Sequence, residues 1–311
     1  MPRLLILARK SKEYKSLLEA KKIPELEIFA FTKEHFDADI AGKCDIVLGE
    51  PSRIKAQLPA LTNLRWVQSI WAGVEPLLDP NLRRDYTLTN ARGVFGELMT
   101  EYVFSYLLAH ERRIFELRQA QDRKYWDGQN NGSLRGKTIG LLGVGSIGAE
   151  VARTAKHFKM NVRGYTHSSE TSSDVDVYYH DDLLDCVNGL DYLVNILPNT
   201  PATSQLLDAS VFDRLPNHGI FINVGRGSAV DEEALEKALK EEKIAGAVLD
   251  VFAEEPLPKE HPFWTTPNLL MTYHTSAPSL PEDITNLFIE NYHRYLKGDA
   301  LKHQVNFERG Y

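Results

Sequence analysis

The chain has 311 residues, of which 43 % are hydrophobic and 25 % charged, and a formal net charge of −7. That length predicts about two domains of ~150 residues each, with the composition of an ordinary soluble globular protein. The acidic balance and the lack of a long basic run exclude the footprint of a nucleic-acid binder, and no apolar run approaches the ~18 residues of a membrane span.

The amino terminus, MPRLLILARK, has too short an apolar part for a secretion signal. Residues 3–8 read as an opening strand instead, followed by a helix over 11–22 with Tyr14, Leu17 and Leu18 inward. LEIFAF, CDIVLG, LRWVQSI and YTLTN repeat the strand signal with helix-compatible stretches such as SRIKAQL between them. Alternating strands and helices predict a parallel sheet covered on both faces. Residues 94–126 then form one long helical region, apolar nearly all round in its first half and charged in its second, as expected of a helix passing between two domains. A second unit follows, with strands TIGLLG, NVRGY, DYLVNIL, GIFINV, AGAVLDV and NLLMTY: a six-strand doubly wound pattern. Residues 279–298 read as a final helix returning to the first unit. The two cysteines, Cys44 and Cys186, suit neither a disulfide framework nor a metal cluster. Buried thiols, no metal and a cytoplasmic protein are expected.

The second unit opens on KTIGLLGVGSIG, residues 137–148, where a short apolar run is cut by Gly143, Gly145 and Gly148 before a helical pattern begins. This is the G-x-G-x-x-G dinucleotide fingerprint between a strand and a helix. Gly143 permits the tight turn, Gly145 lets the backbone approach a pyrophosphate, and Gly148 lets helix and strand lie close. Past other strand ends of the unit lie Pro198, Arg226, Asp250, Glu255 and His274. Ionisable groups at strand ends beside a dinucleotide crevice suggest hydride transfer assisted by an acid. Singly, each has an ordinary reading: an ion-paired turn arginine, a surface glutamate, a core histidine.

Together with SIWAGVE (69–75), GLLGVGSIG (140–148), NILPNTPAT (195–203), FINVGRGSAVDEEAL (221–235), AGAVLDVFAEEPLP (245–258), HPFW (261–264) and YHTSA (273–277), the sequence resembles the D-isomer-specific 2-hydroxyacid dehydrogenases, in their glyoxylate/hydroxypyruvate reductase branch. The resemblance implies an α/β protein of two doubly wound parallel-sheet domains. A smaller flavodoxin-like substrate domain, residues 1–100 and 280–311, is discontinuous around a Rossmann-type cofactor domain, residues 101–279. It implies a catalytic set of Arg226, Glu255 and His274, with Glu255 distinguished from Glu254 by its adjacency to Pro256. Arg226, which cannot lose its proton, would clamp the substrate carboxylate and polarise the keto oxygen. His274 would exchange a proton with that oxygen, and Glu255 would fix the imidazole tautomer and favour its charged form. Substrate would also meet Trp71 and the backbone amides of Ala72, Gly73 and Val74, a turn suited to an anion.

Expected cofactor contacts are Gly143, Gly145, Ser146, Ile147 and Gly148 at the pyrophosphate, Pro198 on the adenosine side, and Val224 and Asp250 near the carboxamide, with Met99 close by. An NAD-preferring pattern would place an acid about 20 residues past the glycines. Here Thr166, His167, Ser168 and Ser169 occupy that stretch, which favours NADP(H) over NAD(H). The resemblance also implies a homodimer joined through the cofactor domain. A nicotinamide-sensing, corepressor-like binding protein with little turnover is the alternative from another class, and phosphite or formate oxidation the alternative within the fold.

Overall fold

After Arg3 the first strand reads LLIL, and IVLG follows at 46–49: both runs are apolar and buried at every position, as strands covered on both faces of a parallel sheet must be. The computed structural model describes residues 1–31, 36–167, 170 and 172–310. They form two units, Met1–Val94 with Ser279–Tyr311, and Phe95–Pro278.

In the first unit β1 (Arg3–Leu7), α1 (Ser11–Ala20), β2 (Glu27–Ala30), α2 (Ala38–Ala41), β3 (Ile46–Gly49), α3 (Pro51–Gln57), β4 (Trp66–Ser69) and β5 (Thr87–Thr89) follow in order. The strands form a parallel sheet in the order β2-β1-β3-β4-β5, the flavodoxin-like arrangement. β1 and β3 are buried almost throughout, whereas the edge strand β2 is half-buried. Tyr14 and Leu18 are buried on α1, as its spacing predicts, while Leu17 is half-buried and Ser11 joins the buried side.

The second unit contains α4 (Gly96–Glu111), α5 (Ile114–Asp122), β6 (Thr138–Leu142), α6 (Ser146–His157), β7 (Asn161–Tyr165), β8 (Val177–Tyr179), α7 (Leu183–Val187), β9 (Tyr192–Asn195), α8 (Ala209–Arg214), β10 (Ile220–Asn223), α9 (Glu232–Lys240), β11 (Gly246–Leu249) and β12 (Leu269–Met271). Among the described residues its sheet is seven-stranded and parallel, ordered β12-β11-β10-β9-β6-β7-β8. The order reverses between β6 and β9, and there a doubly wound sheet opens a crevice at its carboxyl edge. α10 (Pro281–Lys297) belongs to the first unit, where Phe288 stacks on Trp66 with ring centroids 5.1 Å apart.

Three sequence expectations need correction. The six-strand pattern lacked β8, a three-residue strand at the sheet edge whose polar neighbours hid it. The helical region 94–126 is two helices, broken where Arg113 takes a left-handed conformation (φ 53°) and pairs with Asp127 at 2.6 Å. The division near residue 100 would cut α4, yet the whole helix lies in the second unit. There Met99, Val103, Phe104 and Leu107 join the core beside Val151, Ala152 and Ala155 of α6.

Candidate active site

β6 delivers the chain into the glycine turn. Gly143 has φ +98°, which L side chains rarely adopt, and a Cβ on Gly148 would lie 2.2 Å from the Gly143 carbonyl oxygen. Gly145 differs: it is exposed, and a Cβ there would meet no atom within 4 Å. As the N-cap of α6 it makes no side-chain capping bond, so the first amides of the helix face that open side with the positive end of the helix dipole. Such a cradle fits a pyrophosphate. Ser146 is exposed and Ile147 half-buried at this turn.

The other expected cofactor contacts lie at the same carboxyl edge, with differing access. Pro198 is exposed beyond β9, and Val224 is buried beyond β10. After β7, Thr166 is buried and His167 exposed; Ser168 and Ser169 lie outside the described residues. Sequence reasoning passed over His180, whose ring meets the Thr166 carbonyl at 2.9 Å and Glu170 at 2.7 Å. The Glu170 bond and then the Thr166 carbonyl push its pKa up. The missed signal was β8, which ends beside it. Met99 is a core residue of α4.

Arg226, Glu255 and His274 stand past three successive strands, β10, β11 and β12. Asn223, buried at the end of β10, donates its amide to the Arg226 carbonyl at 3.1 Å, and its oxygen accepts from Asn195 at the end of β9 at 2.9 Å. A Cβ on Gly227 would lie 1.9 Å from the Phe252 carbonyl carbon, so this glycine allows the Arg226 loop to lie against the loop that carries Glu255. Glu255 receives the Phe252 amide at 3.0 Å on Oε1 and the His274 Nδ1 at 2.7 Å on Oε2.

The pair is electrostatically matched. Burial pushes the Glu255 carboxyl up, but the bonds from His274 and the Phe252 amide outweigh it and hold the group below its ordinary range. The Glu255 bond raises the His274 pKa; burial and the nearby Arg226 charge oppose this, and the Glu255 and Asp250 charges add to it. Because a carboxylate only accepts, the proton of their shared bond resides on Nδ1. Nε2 is therefore the imidazole nitrogen left to exchange a proton with a ligand.

Asp250, which the resemblance places near the carboxamide, has bonds within the protein that sequence reasoning did not supply. It is wholly buried, and its carboxylate accepts from the Thr272 hydroxyl at 2.5 Å, the Thr275 amide at 2.8 Å and the Ser276 amide at 3.0 Å. Its own carbonyl accepts the His274 amide at 2.7 Å. Asp250 thus ties down the segment that carries His274, a role that sequence spacing does not reveal.

In the first unit β4 ends in the turn carrying Trp71, Ala72, Gly73 and Val74. The Ser69 hydroxyl bonds the Trp71 amide at 2.9 Å and its carbonyl at 2.8 Å, and Asn90 donates to the Ala72 carbonyl at 2.9 Å. Among the described residues the amides of Ala72, Gly73 and Val74 have no acceptor. Trp71 and Ala72 are exposed, Gly73 is half-buried and Val74 buried. Consecutive unspent amides on a pinned turn suit a carboxylate.

Similarity to known proteins accords with this architecture. The family model described as D-isomer specific 2-hydroxyacid dehydrogenase, NAD binding domain, matches residues 104–276. The glyoxylate/hydroxypyruvate reductase A of Yersinia enterocolitica is 32 % identical over 262 residues, covering 82 % of this chain and 84 % of that protein. Among solved structures, a D-isomer specific 2-hydroxyacid dehydrogenase family protein from Aeromonas salmonicida is 40 % identical with a TM-score of 0.94, covering 98 % of this chain and 99 % of its own. An NADPH-dependent glyoxylate/hydroxypyruvate reductase of Sinorhizobium meliloti, solved with NADP and sulfate, is 25 % identical with a TM-score of 0.89, covering the whole of both chains. With a match to more than half of its length, on the unit that carries the glycine turn and the Arg226, Glu255 and His274 loops, this chain belongs to the D-isomer specific 2-hydroxyacid dehydrogenase family.

Proposed function

We propose that the chain reduces a small 2-keto acid of the glyoxylate or hydroxypyruvate kind to the D-2-hydroxy acid, using NADPH. The observation that carries this reading is the 2.7 Å bond between His274 Nδ1 and Glu255, with the Arg226 charge close enough to influence the imidazole. When bound on the glycine turn, the nicotinamide supplies the hydride. Arg226 clamps the substrate carboxylate and polarises the keto oxygen. Protonated His274 gives its Nε2 proton to that oxygen, and Glu255 stabilises the charged imidazole while holding its orientation. The test is turnover of NADPH against a panel of 2-keto acids; negligible turnover with all of them would instead support a binding protein.

The NADPH preference is supported by the end of β7, where Thr166 and His167 stand in place of an acid that would repel a 2′-phosphate. Two structural relatives were solved with NADP or NADPH. Steady-state kinetics should give a kcat/KM on the order of tenfold higher with NADPH than with NADH, equivalent to about 1.4 kcal/mol. Equal or better efficiency with NADH overturns this preference.

We also propose a homodimer joined through the cofactor-binding unit. Its support is an apolar set on and after α5: Ile114, Phe115, Tyr125 and Trp126, the last 90 % exposed. Large apolar groups left in water in this number mark an interaction surface. Light scattering should give twice the monomer mass, and Phe115→Glu with Trp126→Glu should halve it; a monomeric wild type removes the proposal. The two buried thiols, Cys44 and Cys186, fit the reducing cytoplasm in which we place the reaction.

A further inference from the structure

The hydrogen bonds around Asp250 run in one direction and begin on α4. Asp250 can only accept, so the Thr272 hydroxyl, 2.5 Å from Oδ1, donates to it. That commits the single hydroxyl proton of Thr272. The Tyr102 hydroxyl, 2.8 Å from Thr272 Oγ1, is therefore the donor in their shared bond. Burial pushes the Tyr102 phenol far above its ordinary range, which keeps the donated proton in place.

Downstream of Asp250 the bonds grip both sides of His274. Its amide meets the Asp250 carbonyl at 2.7 Å, and the amides of Thr275 and Ser276 meet the carboxylate at 2.8 and 3.0 Å. His274 itself has φ +56°, a left-handed conformation that a non-glycine residue holds only when its surroundings impose it. We infer that Thr272 and Tyr102 are positioning residues for the proton donor: through Asp250 they impose the backbone turn that presents the His274 imidazole to Glu255. This rests on the reading of His274 as the proton donor. Tyr102 also packs against Tyr106, with ring centroids 4.9 Å apart; phenylalanine would keep that contact and remove only the hydroxyl.

The test uses Thr272→Val, Thr272→Ser and Tyr102→Phe in the full chain, with two readouts. The first is the NMR titration of the His274 imidazole, which needs no turnover. The charged groups facing the ring are Glu255 and Asp250, which raise its pKa, and Arg226, which lowers it. In Thr272→Val the loosened turn weakens the Glu255 bond, and the titration should move to lower pH by about 0.5 or more. Thr272→Ser should restore it, and Tyr102→Phe should move it in the same direction by less. The second readout is glyoxylate reduction with NADPH. Thr272→Val should lose roughly tenfold in kcat while KM for glyoxylate and NADPH stays within about twofold, the split expected when an interaction made in the transition state is lost.

An unmoved titration in folded Thr272→Val, or a serine variant that behaves like the valine one, would overturn the inference. Should the valine variant fail to fold, the Tyr102→Phe titration decides by the same criterion. A wild type with no turnover but with the variant shifts present would remove the reductase reading and leave this brace standing.

Discussion

Replacing His274 with alanine is expected to lower kcat for 2-keto acid reduction by roughly 10²–10⁴-fold, the usual contribution of a positioned general acid. NADPH binding should be nearly unchanged, because the glycine turn lies on another loop. The expectation follows from the geometry of the pair: Nδ1 is committed to Glu255 at 2.7 Å, which leaves Nε2 as the proton donor. Its pH dependence has a definite sign. The imidazole pKa lies above its ordinary 6.5, held up chiefly by the Glu255 bond. Reduction consumes the charged form, so its rate should be flat below the raised pKa and fall as pH rises through it. Oxidation needs the neutral ring and should show the opposite trend. Glu255→Gln removes the raising partner and should move the alkaline limb of reduction to lower pH. Near-full kcat in His274→Ala would remove the assignment of the proton donor.

The same pair links stability to pH. The His274 contribution is fully present below its unfolded value near 6.5 and is lost as pH rises through the raised folded value. The Glu255 contribution is present above its unfolded value near 4.5 and is lost as pH falls through the lowered folded one. Both act in full between those two unfolded values.

The second large effect concerns the glycine turn, where two alanine substitutions should behave differently. In Gly148→Ala the new methyl would lie 2.2 Å from the Gly143 carbonyl oxygen, a backbone atom that cannot rotate away. The strand and helix must part, at a cost of about 1–3 kcal/mol. Melting should drop by on the order of 5 °C, and the displaced amides should weaken NADPH binding as well. In Gly145→Ala the methyl meets no protein atom within 4 Å. The fold should keep its melting temperature, yet the methyl stands where a pyrophosphate would approach, so KM for NADPH should rise. Calorimetry beside cofactor kinetics separates the two. A Gly145→Ala protein with unchanged KM would show that the pyrophosphate does not lie against this turn.

Whatever depends on neighbours in the chain could be read from the sequence. The glycine spacing of residues 143–148, the apolar runs LLIL, IFI and GAVL, and the amphipathic α9 each follow from a local pattern: turn chemistry, continuous burial or helical spacing. Resemblance then brought Arg226, Glu255 and His274 to notice as one group. Local pattern failed where the signal was short or polar. β8 is three residues of an edge strand, and the break at Arg113 depends on a bond to Asp127 fourteen positions away.

Tertiary structure alone decided how the polar groups are paired. Only adjacency to Pro256 sets Glu255 apart from Glu254 along the chain, whereas in the fold it is the Glu255 carboxylate that meets His274, 19 positions on. Asp250, expected beside the carboxamide, holds the histidine segment in place, with Tyr102 reaching the same network from 170 positions away through Thr272. Among the described residues the amides of 72–74 have no acceptor, on a turn that Ser69 and Asn90 pin. The physical reason is common to all three. Burial has a period that a sequence displays, whereas a hydrogen bond depends on distance and direction between groups that only the folded chain brings together.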